Sequence, residues 1–149
     1  MNPIQSATLE DIPELCALLA ILFEQEADFQ PDAEKQAVAL REIITHPSTG
    51  QILVFREGNE IAGMVNLLFT ISTACGGKVA ILEDMIVRPS RRGDGLGSQL
   101  LQAAISLAHR EGCMRVTLLT DRVNDAAIRF YLKQGFGVSE MITLRKRLV

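Results

Sequence analysis

The chain has 149 residues, 48% hydrophobic and 22% charged, enough for one domain burying roughly 70% of its unfolded surface without staples. Net charge is -3 with scattered lysines and arginines, which excludes an electrostatic case for nucleic acid. No apolar run is long enough to cross a membrane, no export signal opens the chain, and Cys16, Cys75 and Cys113 share no close spacing of a disulfide framework or zinc site.

A cytoplasmic protein of one domain over residues 1–149 is therefore expected. Residues 2–6 read as a short strand, and Thr8 can cap a helix in which Ile12, Leu15, Leu18, Leu19 and Leu22 recur at helical spacing. A second helix is expected over 32–44, ending before His46-Pro47, because proline disfavours helical geometry at the residue before it. Segments 51–56 and 60–73 read as an antiparallel hairpin around Gly58-Asn59, and 79–87 as the next strand.

A glycine-rich turn follows, and then a helix whose stripe is Leu96, Leu100, Ala104 and Leu107. Residues 114–120 read as a buried strand and 124–134 as a short helix stopped by Gly135. A final strand is expected over 141–148. The fold class is α/β, with a mixed sheet of about six to seven strands and about four helices.

The turn itself, Val87-Arg88-Pro89-Ser90-Arg91-Arg92-Gly93-Asp94-Gly95-Leu96-Gly97-Ser98, is the most specific segment. Glycines at 93, 95 and 97 let successive N–H groups approach an anion from the positive end of the following helix. A Walker loop is excluded because the Gly-Lys-Ser/Thr step is missing. The dinucleotide fingerprint is out of phase and lies past the middle of the chain. What remains is Arg/Gln-x-x-Gly-x-Gly/Ala, filled by Arg92, Gly95 and Gly97, and here the chain resembles the GNAT superfamily of acyl-CoA-dependent N-acyltransferases.

A second segment, Asn124-Asp125-Ala126-Ala127-Ile128-Arg129-Phe130-Tyr131-Leu132-Lys133-Gln134-Gly135-Phe136, is similar to that superfamily's Asn-x-x-Ala-x-x-Phe-Tyr-x-x-x-Gly-Phe. The resemblance implies acetyl-CoA as cofactor, held by Arg92, Gly93, Asp94, Gly95, Leu96, Gly97 and Ser98 at its pyrophosphate and by Met85, Ile86 and Val87 along its pantetheine arm. It implies a cofactor contact for Asn124, a helix cap on the plain reading, and for Tyr131, whose phenol would protonate the leaving thiolate. A core aromatic beside Phe130 and Phe136 is the competing reading of Tyr131. No metal is required, and Arg91 and Arg92 are both available for a phosphate.

Transfer of an acyl group to an amine also needs a base. On strand 79–87 strict alternation places Glu83 with Val79, Ile81, Met85 and Val87, and Asp84 on the other face with Ala80, Leu82 and Ile86. A carboxylate in an apolar cleft has its pKa raised toward a useful range, and Glu83 is the candidate base and substrate contact. Leu82-Glu83-Asp84-Met85-Ile86-Val87 is similar to the corresponding strand of diamine acetyltransferases, where the first acid faces the substrate. A hydrogen-bonded structural acid is the competing reading, the stronger of the two for Asp84.

For the acceptor, Phe23-Glu24-Gln25-Glu26-Ala27-Asp28-Phe29 sets three acids between two rings and makes Phe29 a substrate-binding candidate. A solvated helix end is the alternative. The expected function is transfer of an acetyl group to a primary amine of a small molecule or peptide, by direct attack in a ternary complex. A non-catalytic acyl-CoA sensor is the alternative, and a homodimer is expected from the apolar final segments.

Overall fold

Apolar alternation through the first half of the chain is satisfied by an antiparallel meander. Strands β1 (Ile4–Ser6), β2 (Gly50–Glu57), β3 (Glu60–Ser72) and β4 (Gly77–Val87) lie in that order, and β5 (Val116–Leu118) joins β4 in parallel. The computed structural model describes residues 2–26 and 30–149. It divides into two compact units, Met1–Leu119 and Thr120–Val149.

Helices α1 (Ile12–Gln25) and α2 (Ala33–Thr45) follow β1, and α3 (Leu96–Arg110) follows β4. The stripe read from α1 is its core face: Ile12, Leu15, Leu18 and Leu19 are buried in one cluster with Leu40, Val54, Ile61 and Met64. Thr8 begins a short 3-10 turn rather than α1 itself, and its N–H donates to Asp11 Oδ2 at 2.8 Å. Asp32 caps α2, its side chain accepting from the Lys35 N–H. The predicted stripe of α3 is buried at Leu96, Leu100, Ala104 and Leu107. This helix sits close on the sheet because β3 presents Gly63, where a Cβ would lie 2.9 Å from both the Ile86 carbonyl oxygen and Leu100 Cδ1.

In the second unit, α4 (Asp125–Lys133) is capped by the Asn124 side chain, which accepts from the Ala127 N–H at 3.1 Å. It ends as predicted at Gly135 (φ 94°), with Gly135 N–H bonded to the Leu132 carbonyl and Phe136 N–H to the Tyr131 carbonyl. This pair of bonds satisfies the last carbonyls of the helix.

The sequence expectations need three corrections. Five strands form among the described residues, fewer than the six to seven expected, and no strand forms over 141–148. Met141, Ile142, Leu144 and Leu148 are exposed; an apolar run becomes a strand only when its N–H and C=O groups pair with another strand, and residues 141–148 form no such pairing. The expected buried strand over 114–120 contracts to Val116–Leu118 and is not buried, since it pairs only with Ala80–Leu82 of β4.

Candidate active site

The glycine turn is held open between a clamped entry and a buried helix start. Arg88 Nε donates to the Ile61 carbonyl at 2.7 Å, and its guanidinium pairs with Glu14 of α1 at 3.2 Å. Pro89–Arg91 forms a single 3-10 turn, and Gly93 (φ 89°) and Gly95 (φ 83°) adopt the left-handed conformation that other residues resist. Gly95 caps α3, and Leu96 anchors its first turn in the core at 4% exposure. Residues 92–95 are exposed, and a Cβ at Gly93 or Gly95 would meet nothing within 4 Å. First-turn N–H groups have no carbonyl one turn earlier to bond, so the positive end of a fifteen-residue helix opens onto this space.

The two arginines divide their duties. Arg91 pairs with Glu57 and lies 3.5 Å from Asp94 Oδ2, which holds the far side of the loop. Arg92 Nε donates to the Val87 carbonyl at 3.1 Å and braces the loop against the end of β4.

Upstream, β4 departs from simple alternation. Asn66 of β3 faces Asp84, whereas Leu67 faces Leu82, so Glu83 is an extra residue in a bulge. The expectation that Glu83 and Asp84 occupy opposite faces is therefore corrected: both line one cavity of about 280 Å³, with Leu19, Phe23, Leu40 and Asn66 among its other walls. A bulge twists its strand and re-aims the side chains beside it. The parallel pairing of β4 with β5 ends at Leu82–Leu118, so Met85, Ile86 and Val87, the cofactor-lining candidates, lie beyond its end.

Within the cavity the two carboxylates differ. Glu83 is exposed. Asp84 accepts from Asn66 Nδ2 at 3.0 Å, and burial pushes its carboxyl up to about 6. The Asn66 hydrogen bond opposes that rise and the neighbouring charge of Glu83 adds to it. Asn66 is itself 2% exposed, and its Oδ1 is buried without a hydrogen-bond partner. Sequence reasoning passed over Asn66 and treated Asp84 mainly as structural. The available signal was one amide inside the apolar run 61–69 of β3.

Tyr131 lies in the second unit, half-buried on α4, in edge-on contact with Phe130 (5.2 Å between centroids) and Phe136 (5.7 Å). The aromatic packing read from the sequence is therefore present. Asn124 is the helix cap described above. Phe29 lies outside the described residues. Among those residues no group of three or more His, Cys, Asp or Glu is placed to hold a metal ion, and no helix is long and apolar enough to cross a membrane.

An open glycine turn at the start of α3 and a carboxylate-lined cavity thus lie along one strand. The chain belongs to the acetyltransferase (GNAT) family, whose profile matches residues 14–136 and so runs through both units. It is 30% identical to the aminoalkylphosphonate N-acetyltransferase of Salmonella typhimurium over 91% of this chain and 85% of that one. It is 29% identical to the glucosamine 6-phosphate N-acetyltransferase of Trypanosoma brucei brucei, over 73% of this chain and 67% of the relative. An integron cassette protein from a salt-marsh metagenome superposes with a TM-score of 0.85 at 27% identity, covering 99% of this chain and 91% of that structure. The protein is an acetyltransferase with the α/β fold of that family.

Proposed function

We propose that residues 1–149 act as one N-acetyltransferase domain that moves an acetyl group from acetyl-CoA to a primary amine by direct attack in a ternary complex. The observation that carries this reading is the layout of β4: two carboxylates at a bulge in a cavity wall, followed directly by the strand end that empties into the anion cradle. Residues 92–98 hold the pyrophosphate through first-turn N–H groups and the helix dipole, and the edge at Met85, Ile86 and Val87 lines the pantetheine.

The amine nitrogen attacks the thioester carbonyl carbon, forming C–N as C–S breaks. Its proton passes to the Glu83–Asp84 pair. Asp84, with a pKa near 6, is tuned to take that proton at neutral pH, and exposed Glu83 is placed to hand it to solvent. The Tyr131 hydroxyl protonates the departing thiolate. Asn124 serves as the cap of α4 and as a cofactor contact.

The test is release of free thiol from acetyl-CoA against a panel of amines, amino acids and peptides, with the acetylated product identified by mass. Thiol release that depends on one class of amine is the expected result. Release no faster than spontaneous hydrolysis with every amine, despite tight coenzyme A binding, would favour the non-catalytic sensor instead.

A further inference from the structure

The cavity beside Glu83 has a composition that the substrates naming its relatives do not share. Among the described residues its polar lining is Glu26, Gln36, Asn66, Glu83 and Asp84, with apolar side chains from α1, α2 and β3 making up the rest and no Lys, Arg or His. A phosphonate or phosphate entering it would meet carboxylates and no counter-charge. The relatives described above are named for aminoalkylphosphonate and glucosamine 6-phosphate, both anion-bearing amines.

The second observation is the orphaned acceptor. Asn66 commits its Nδ2 to Asp84, which leaves Oδ1 buried with nothing to accept from. Leaving a buried acceptor unsatisfied is costly, and such a group in a cavity wall is explained when a ligand supplies the missing donor. Gln36, whose Oε1 accepts from the Asp32 N–H at 2.8 Å at the start of α2, makes no hydrogen bond to Asn66 Oδ1. An N–H donor reaching Oδ1 would sit beside the Asp84 carboxylate, so a positively charged donor fits better than a neutral one.

We propose that Asn66 is the acceptor-anchoring residue, and that this cavity takes an amine carrying a second cationic nitrogen on a short apolar stem while rejecting amines that carry phosphonate or phosphate. The anchored nitrogen donates to Asn66 Oδ1, the carboxylates of Glu83 and Asp84 balance its charge, and the apolar walls from Leu19, Phe23 and Leu40 cover the stem. This inference rests on the acetyltransferase reading above, because it assumes that the cavity is the acceptor side of that reaction.

Binding separates the two ideas. Calorimetry on the whole chain loaded with coenzyme A, titrated with diaminopropane, propylamine and aminopropylphosphonate, reads the cavity without requiring turnover. Diaminopropane should bind about ten- to a hundredfold more tightly than either of the others, the range expected of a charge-assisted hydrogen bond. Asn66→Leu should remove most of that preference. Asp84→Asn, which keeps shape and amide pairing, should weaken diaminopropane about tenfold while narrowing the gap to the phosphonate. Circular dichroism on both variants separates lost binding from lost fold, and the Asp84 variant alone decides the matter if Asn66→Leu does not fold. Equal or tighter binding of the phosphonate, or an Asp84→Asn variant with the parent's preference, overturns the inference and leaves the acetyltransferase reading standing. Selective diaminopropane binding with no thiol release from acetyl-CoA would retain the anchor and remove the catalytic reading.

Discussion

Asp84 should weaken the fold it belongs to, and replacing it with Asn should show by how much. Its folded pKa is raised from 3.8 to about 6, chiefly because burial disfavours the charged form. Between those values the folded chain holds the proton more tightly than the unfolded chain. Stability therefore falls as pH rises through that window and is level above it. The rise corresponds to about 3 kcal/mol of differential stabilisation, at 1.36 kcal/mol for each tenfold change in proton affinity. Asn carries no titrating proton, so the stability of Asp84→Asn relative to the parent should increase by up to about 3 kcal/mol between roughly pH 4 and pH 7.5. In thermal melts at the higher pH this is roughly 6–12 °C for a chain of this size. Urea unfolding of both proteins at the two pH values isolates the effect, because every other titration is common to them. A stability difference that stays constant with pH would show that Asp84 is not desolvated in the folded state. Under the proposed mechanism the stabilised variant is also the less active one, the exchange expected where a buried charge is kept for chemistry. The kcat/KM of the parent should then fall on the acid side of about pH 6 as Asp84 takes up its proton.

Gly95→Glu should abolish coenzyme A binding, because it sets a side chain and a negative charge at a left-handed position facing the open cradle; calorimetry with unchanged affinity would move the pyrophosphate elsewhere. Tyr131→Phe keeps both ring contacts and removes only the hydroxyl, so turnover should drop by something like 10²–10⁴-fold at nearly constant coenzyme A affinity. Arg56→Met should destabilise the chain by about 1–3 kcal/mol in urea unfolding. It would leave the Asp11 carboxylate, which burial pushes up but the 2.8 Å Arg56 hydrogen bond pulls below its ordinary value, with Thr8 as its remaining donor. Sedimentation at micromolar concentration should show a homodimer, which the exposed apolar residues Val138, Met141, Ile142, Leu144 and Leu148 favour; a monomer would remove that expectation.

Most of the frame was legible because it depends on local patterns. The stripe of α1, the Gly58 hairpin turn and the Gly135 stop each draw on a few adjacent residues, and each appears where the pattern placed it. The geometry of the glycine turn was legible for the same reason, since Gly93 and Gly95 mark left-handed backbone whatever surrounds them. The segments 114–120 and 141–148 were misread because an apolar, β-prone run specifies only a tendency to pair. Whether a neighbour lies alongside is a property of the whole sheet.

The acid pair shows where local reading ends. Period-two alternation assigns Glu83 and Asp84 to opposite faces, and it fails here because one extra residue on β4 is absorbed opposite Asn66 and Leu67 of β3. A bulge depends on the register between two strands, here with Asn66 facing Asp84 across a sequence separation of 18, so neither strand's own pattern announces it. The same register fixes which polar groups meet. Asn66 and Asp84 are ordinary residues in sequence and become a hydrogen-bonded pair only when β3 and β4 align. The desolvation that raises Asp84 comes from that alignment as well, and so does the unused Oδ1 of Asn66. The arrangement of polar groups at this site is therefore a consequence of strand registration. Deleting Glu83 should restore simple alternation, separate the two sides of the cavity and return the chain to an ordinary sheet. That variant should stay folded, with near-parent stability in urea, yet lose acetyl transfer to every amine; retained transfer would mean that the bulge is incidental to catalysis.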